Sequence, residues 1–317
     1  MISRRQLRIK ALQTLYAYYK TGGEDMDRSE KELHFNIEKA YTLYQYLLLL
    51  LIDLVMYAES RIELARNKRI PTQEDLHPNT RFIENRFIGQ LRNNDHLLKY
   101  VASNKLNWAN YPELIREIYN LLIDSEEYKI YMAAGSNGYH DDKKLVTFIY
   151  THLVFPNELL GSILEEQSIY WNDDLEFITS MIVKTIKKYK EEDGSEKPLM
   201  QLYKNQEDRD FVVELFRRSI LHREEYVGYI KENTRNWDLD RIAFMDILIM
   251  QMAIAELVGF PSIPTKVTLN EYLDISKFYS TSKSNVFING VLDKVVIQMK
   301  EERKIVKTGR GLIGEND

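Results

Sequence analysis

Arg4, Arg5, Arg8 and Lys10 stand in the opening turns of a helical pattern that holds no acid through Lys20. Cations at a helix N-terminus oppose the helix dipole, at about 0.3–1 kcal/mol for each exposed charge. Two readings fit this pattern. One is an ordinary basic helix end. The other is a site for an anion, most simply the phosphates of a nucleic-acid backbone. Arg4 and Arg8 are one turn apart, so both can meet adjacent phosphates. A second candidate is the loop Ser280-Thr281-Ser282-Lys283-Ser284-Asn285, because hydroxyls and helix-terminal amides bind phosphate and Lys283 adds charge. Phe287 falls at the edge of the apolar stripe that follows. That position suits either a core residue or a platform for an unpaired base.

Other chemistry-bearing patterns carry less. Gly309, Gly311 and Gly314 spell G-x-G-x-x-G, but a dinucleotide fingerprint needs a strand before it and a helix after it. The segment reads instead as a flexible tail, 306–317. His140-Asp141-Asp142 reads as a solvated loop rather than a metal shell, and no other histidine shows ligand spacing. No Ser or Thr sits in a nucleophile-elbow pattern. We therefore expect no catalytic residue, no metal and no cofactor, and so not an enzyme.

Composition sets the frame for these residues. The chain has 317 residues, with 43 Lys plus Arg against 48 Asp plus Glu, a net charge of −5. Nucleic-acid binding therefore cannot rest on overall basicity and needs a local site. The absence of cysteine excludes disulfides, thiolate nucleophiles and Cys-based zinc sites. Thirteen glycines and seven prolines are few punctuators for an all-β or doubly wound fold. The expectation is an all-α, reduced, cytoplasmic protein. The run Ala40–Ala58 is about long enough to span a membrane, but Thr42, Gln45 and Asp53 interrupt it, so a buried helix is expected.

Helical periodicity places the elements at about 3–20, 29–68, 81–106, 112–133, 143–155, 158–170, 173–190, 206–233, 239–258, 269–279 and 283–303. Ile9, Leu12, Leu15, Tyr16 and Tyr19 form the apolar stripe of the first helix. Arg5 and Arg8 lie on the same meridian, so the first turns are expected to overhang the packed body. Glu191–Pro198 has the composition of a linker. Asp238 is placed to cap the next helix, with Trp237 and Ile242 as a hydrophobic staple. From Ile242 to Val258 that helix is apolar almost all round, the mark of a central helix. Thr268 and Glu271 have capping-box spacing, and Gly290 inside the last helix predicts a close helix crossing.

The two ends of the chain resemble the NusB transcription antitermination factors. Arg4-Arg5-x-x-Arg8-x-x-Ala11-Leu12-Gln13-x-Leu15-Tyr16 is similar to the family's opening helix. Asn236-Trp237-x-Leu239-Asp240-Arg241, with Ala253-x-x-Glu256-Leu257, resembles its central helix. The most specific run is Pro264-x-Lys266-Val267-x-x-Asn270-Glu271, then Lys277-x-Tyr279-x-Thr281, then Lys283-Ser284-x-x-Phe287-Ile288-Asn289-Gly290-Val291-Leu292-Asp293-Lys294.

The resemblance implies an all-α NusB-type helical bundle made of residues 1–20 together with 206–305. Residues 21–205 would then be an additional helical insertion. It implies binding of boxA-like single-stranded RNA together with the ribosomal protein NusE, within the RNA polymerase antitermination complex, in ribosomal RNA operons. Carried over, Arg4, Arg5 and Arg8 would grip RNA phosphates. Lys283, Phe287 and Asn289 would line the RNA surface, and Tyr16 would face NusE. The chain departs from the family pattern at Ser280, Val286, Thr268 and Tyr272, and Val286 removes one phosphate contact. No membrane partner is expected, and a homodimer stays open. A ribosomal RNA methyltransferase with a NusB-like front would need an α/β domain after Arg303. The remaining alternative is a scaffold that acts mainly through residues 21–205, with weak RNA binding.

Overall fold

The structure is a computed structural model that describes residues 2–135, 138–234 and 242–314. It is all-α, with fifteen α-helices and no strand among the described residues. The chain divides into two compact units, one of residues 38–202 and one of residues 2–37 with 203–317.

The first unit is built on the greater part of α2 (Met26–Arg66), followed by α3 (Gln73–Leu76), α4 (Arg86–Arg92), α5 (Asp95–Asn104), α6 (Pro112–Asp124) and α7 (Glu126–Ala133). Next come α8 (Tyr139–Phe148), which runs into a π-helical stretch Ile149–Val154, then α9 (Glu158–Gln167) and α10 (Leu175–Lys188). The apolar run of α2 is buried, as expected. Leu43, Tyr44, Leu47, Leu48 and Leu54 are 1% exposed or less, each worth about 1.5–3 kcal/mol of burial. The polar tips of large aromatics return to this helix. The Trp108 indole donates to the Tyr46 carbonyl at 3.0 Å, Tyr150 donates to the Leu47 carbonyl at 2.9 Å, and the Trp171 indole to the Lys39 carbonyl at 2.8 Å. No described helix is long and apolar enough to cross a membrane.

The second unit holds α1 (Arg4–Lys20), the first turns of α2, α11 (Gln206–Leu221), α12 (Arg223–Asn233), α13 (Phe244–Gly259), α14 (Thr265–Tyr279) and α15 (Ser282–Glu301). α13 is its centre and packs against α1, α11, α12, α14 and α15. Leu248, Ile249, Met250, Met252, Ala253, Ile254 and Leu257 are fully buried there. The stripe of α1 reaches the same core through Leu7, Ala11, Leu12 and Leu15.

Several expectations change. The patterns at 81–106, 112–133 and 206–233 are each two helices, because Asn94, Ser125 and His222 start a new one. Asn94 and Ser125 do so as N-caps, accepting from Leu97 N and Tyr128 N. Thr268 caps nothing: α14 already opens at Thr265 behind Pro264, and the Thr268 hydroxyl donates to Glu256. Gly290 marks no crossing, since a Cβ there would meet nothing within 4 Å. The linker-like stretch is tied down: Gln90 donates to the carbonyls of Lys190, Glu191 and Asp193, and Asn94 to those of Ser195 and Lys197. The division falls after Leu202 instead. Asn236, Trp237, the Asp238 cap, Leu239, Asp240 and Arg241 lie outside the described residues.

The expected tail is packed as far as it is described. Lys307 donates to the Leu257 and Phe260 carbonyls at 2.9 and 3.3 Å, and Thr308 N donates to the Pro261 carbonyl at 3.0 Å. A Cβ on Gly311 would stand 1.9 Å from that same carbonyl oxygen, so only glycine fits.

Candidate nucleic-acid interface

The first turns of α1 do not overhang the packed body. Ser3 caps the helix by accepting from Gln6 N, and the arginines that follow find carboxylates more than 200 residues away. Arg4 donates to Asp208 at 2.8 Å and to Glu207 at 2.6 Å, both in the first turn of α11. Arg5 makes a two-pronged contact with Glu271 at 2.9 Å and a third bond to Asp274 at 2.8 Å, both on α14. Arg8 grips Glu256 of α13 through two bonds of 2.7 Å. Charge-assisted pairs of this forked geometry are the strong ones.

Arg8 is 3% exposed and Glu256 is fully buried. The carboxylate also accepts from Thr268 at 2.9 Å and Tyr272 at 3.2 Å, so its lone pairs are satisfied. Burial works against the charge on Arg8, but the Glu256 charge and hydrogen bonds outweigh it and hold the guanidinium above its ordinary pKa. Burial pushes the Tyr272 phenol far up, so it stays a donor. The expectation that Arg8 overhangs is thus corrected: a buried acid that the wheel of α1 alone cannot show gives it a place inside. Arg4 and Arg5 remain partly open to solvent, at 31% and 45%.

The second candidate, the turn from α14 to α15, is arranged differently. Thr281 accepts from Ser284 N as the cap of α15, and Ser280 donates to Asp246. Asn285 donates to the Leu273 carbonyl and the Ser276 hydroxyl at 2.8 and 2.9 Å. These groups hold the turn together. Lys283 is exposed and makes no ion pair among the described residues. Phe287 is half-buried, and Asn289 donates to Asp293 at 3.2 Å. The more open aromatic is Phe278, 81% exposed, beside an exposed Lys277. Nothing in the spacing of α14 singles out Phe278; only its place off the apolar stripe could have.

Tyr16 is 38% exposed and its ring lies 5.7 Å from that of Phe244, with the Lys20 ammonium over both. Tyr16 is therefore a surface residue on an aromatic shelf rather than part of the core. The structure brings Arg4, Arg5 and Arg8 together around one cleft of about 750 Å3, which Lys204 and Arg310 also line. Neither of the last two is suggested by the sequence patterns.

A model of the NusB family matches residues 173–296. Among curated relatives, the transcription antitermination protein NusB of Salinibacter ruber is 41% identical over 33% of this chain and 66% of its own length. That of Chloroherpeton thalassium is 36% identical over 33% of this chain and 50% of its own, and that of Finegoldia magna 39% identical over 29% and 67%. The chain thus spans between half and two thirds of the length of these relatives. No solved structure matches. With two thirds of a relative covered at 39% identity, the chain belongs to the NusB family.

Proposed function

We propose that this chain is a transcription antitermination factor that binds boxA-type single-stranded RNA together with the ribosomal protein NusE. In the RNA polymerase antitermination complex it would suppress premature termination in ribosomal RNA operons, work done in the cytoplasm and without catalysis. Family membership supports the class of function. The observation that carries the RNA reading is the family-matched turn between α14 and α15. There Phe278 and Lys283 are exposed beside Lys277, which is exposed and paired with Asp274 at 2.7 Å, an aromatic next to cations as in single-strand binding sites.

In this reading Arg4, Arg5 and Lys283 meet phosphates with their exposed edges. Arg8 holds the helix that presents the first two. Asn289 and the open part of Phe287 extend the RNA surface along α15, and Tyr16 with Phe244 forms the shelf toward NusE. The discontinuous unit 2–37 with 203–317 is the RNA-binding body, and residues 38–202, of which the family match covers only 173 onward, form the other unit.

The test is fluorescence anisotropy of labelled boxA-like RNA and a scrambled control at two salt concentrations, with and without the organism's NusE-type protein. Selective binding that NusE tightens is the expected result. Weak, unselective binding that ignores NusE would favour a second reading, a scaffold acting through 38–202. One observation speaks for that alternative: three arginines face five carboxylates at the start of α1.

A further inference from the structure

The cleft beside α1 has an unequal charge arrangement. Arg4, Arg5 and Arg8 are matched by Glu207, Asp208, Glu271, Asp274 and Glu256. Taken alone this group is acidic and would repel a polyanion. Two further cations line the same cleft, Lys204 just before α11 and Arg310 in the segment after α15. Both are exposed and make no close ion pair among the described residues, although both lie near enough to Glu207 to favour its charge.

Their position is fixed by structure on both sides. Lys204 immediately precedes Asn205, which caps α11 by accepting from Asp208 N. Arg310 belongs to a turn, Gly309–Leu312, which the Lys307 ammonium and Thr308 N anchor to the end of α13 and the residues just after it. The next residue, Gly311, lies so close to the Pro261 carbonyl that the turn cannot shift toward it. The cleft further collects the N-terminal ends of three helices, through Ser3, Asn205 and Pro264, and two of these, α1 and α14, carry no acid in their first turn. Amide ends of this kind favour an anion that other groups already attract.

We propose that Lys204 and Arg310 are phosphate-contacting residues, and that the segment 304–314 forms a wall of the RNA site. The inference rests on the RNA-binding reading above. It assigns phosphate contact to the two cations that stand outside the arginine–carboxylate pairs, and leaves the three arginines of α1 mainly to docking that helix. An RNA phosphodiester in the cleft would meet Lys204 and Arg310 together with the partly open edge of Arg4.

The experiment measures affinity for labelled boxA-like RNA across a salt series for wild type, Lys204→Gln, Arg310→Gln and the double variant. Both positions are exposed, and a thermal melt checks that each variant folds. The double variant is expected to bind roughly tenfold more weakly at low salt, with a salt slope smaller by about 1.4, from about 0.7 per single-strand phosphate contact. Glu207→Gln, which removes the carboxylate beside these cations, is expected to bind more tightly. If wild type binds and the double variant keeps the same affinity and slope, the assignment of Lys204 and Arg310 is wrong and the RNA reading stands. If wild type itself binds no RNA, both fall.

Discussion

Each unit places a carboxylate in an apolar helix, and the two are treated in opposite ways. In the second unit Glu256 on α13 is fully buried and meets Arg8, Thr268 and Tyr272. In the first, Asp53 on α2 has no ion pair among the described residues, and only the Trp108 backbone favours its charge. Burial pushes Asp53 up to about 6. The difference teaches what the charge is for. Glu256 secures a helix that arrives from the other end of the sequence, whereas Asp53 interrupts an apolar run and holds only the Trp108 backbone, with no cation beside it among the described residues.

The largest effect should come from breaking the paired site. Arg8→Ala leaves Glu256 buried among Thr268 and Tyr272 with no cation, and removing one partner of a buried pair costs about 3–5 kcal/mol. Urea denaturation should show a loss of this size, with RNA binding lost only as far as the unit unfolds. Stability unchanged within 1 kcal/mol would mean that Arg8 is not the clamp described.

The opposite change should strengthen the other unit. An acid whose pKa is raised on folding is best tolerated when protonated. Its contribution is therefore favourable below its ordinary value of 3.8 and is lost as pH rises through about 6. Asp53→Asn should remove that dependence and raise stability at neutral pH by about 1–2 kcal/mol, once screening by nearby water is allowed for. Melting curves below and above this window would check it: the two proteins should converge in acid and diverge at neutral pH.

Gly311→Val tests the segment after α15 without touching a charge. A Cβ there would overlap the Pro261 carbonyl, so the turn must lift and carry Arg310 away. The expected result is an RNA salt slope reduced by about 0.7, as for loss of one phosphate contact, with a smaller stability loss than for Arg8→Ala. An unchanged slope would show that the position of Arg310 does not matter.

The sequence carries the class of fold and most element positions, because apolar periodicity is a local property. It misses the breaks at Asn94 and Ser125, where a capping side chain ends one apolar pattern and starts another in nearly the same phase. It places Arg4, Arg5 and Arg8 on one helix correctly, yet it cannot show that Asp208, Glu256 and Glu271 meet them, since those contacts span more than 200 residues. Gly290 and Gly311 make the same point. A glycine within a helix suggests a crossing and finds open space, while a glycine in an apparent tail is held against a backbone carbonyl. Composition does not tell which of two glycines has a neighbour.

Arg5→Ala should give the smallest change in stability and is for that reason informative. Arg5 is 45% exposed, and its partners Glu271 and Asp274 keep 21% and 36% of their own exposure. Exposed pairs of this kind contribute about 0.2–1 kcal/mol, well below the loss expected for Arg8. If Arg5 also offers its open edge to a phosphate, RNA affinity should fall and the salt slope should drop by about 0.7 while the melting temperature barely moves. Arg8→Ala should show the reverse ratio, a large stability loss with RNA affinity following the folded fraction. Two arginines three residues apart would then be separated by their partners: one holds the helix in place, and the other uses that place. Equal effects of the two substitutions on both readouts would remove this division and make the whole α1 cluster a docking device.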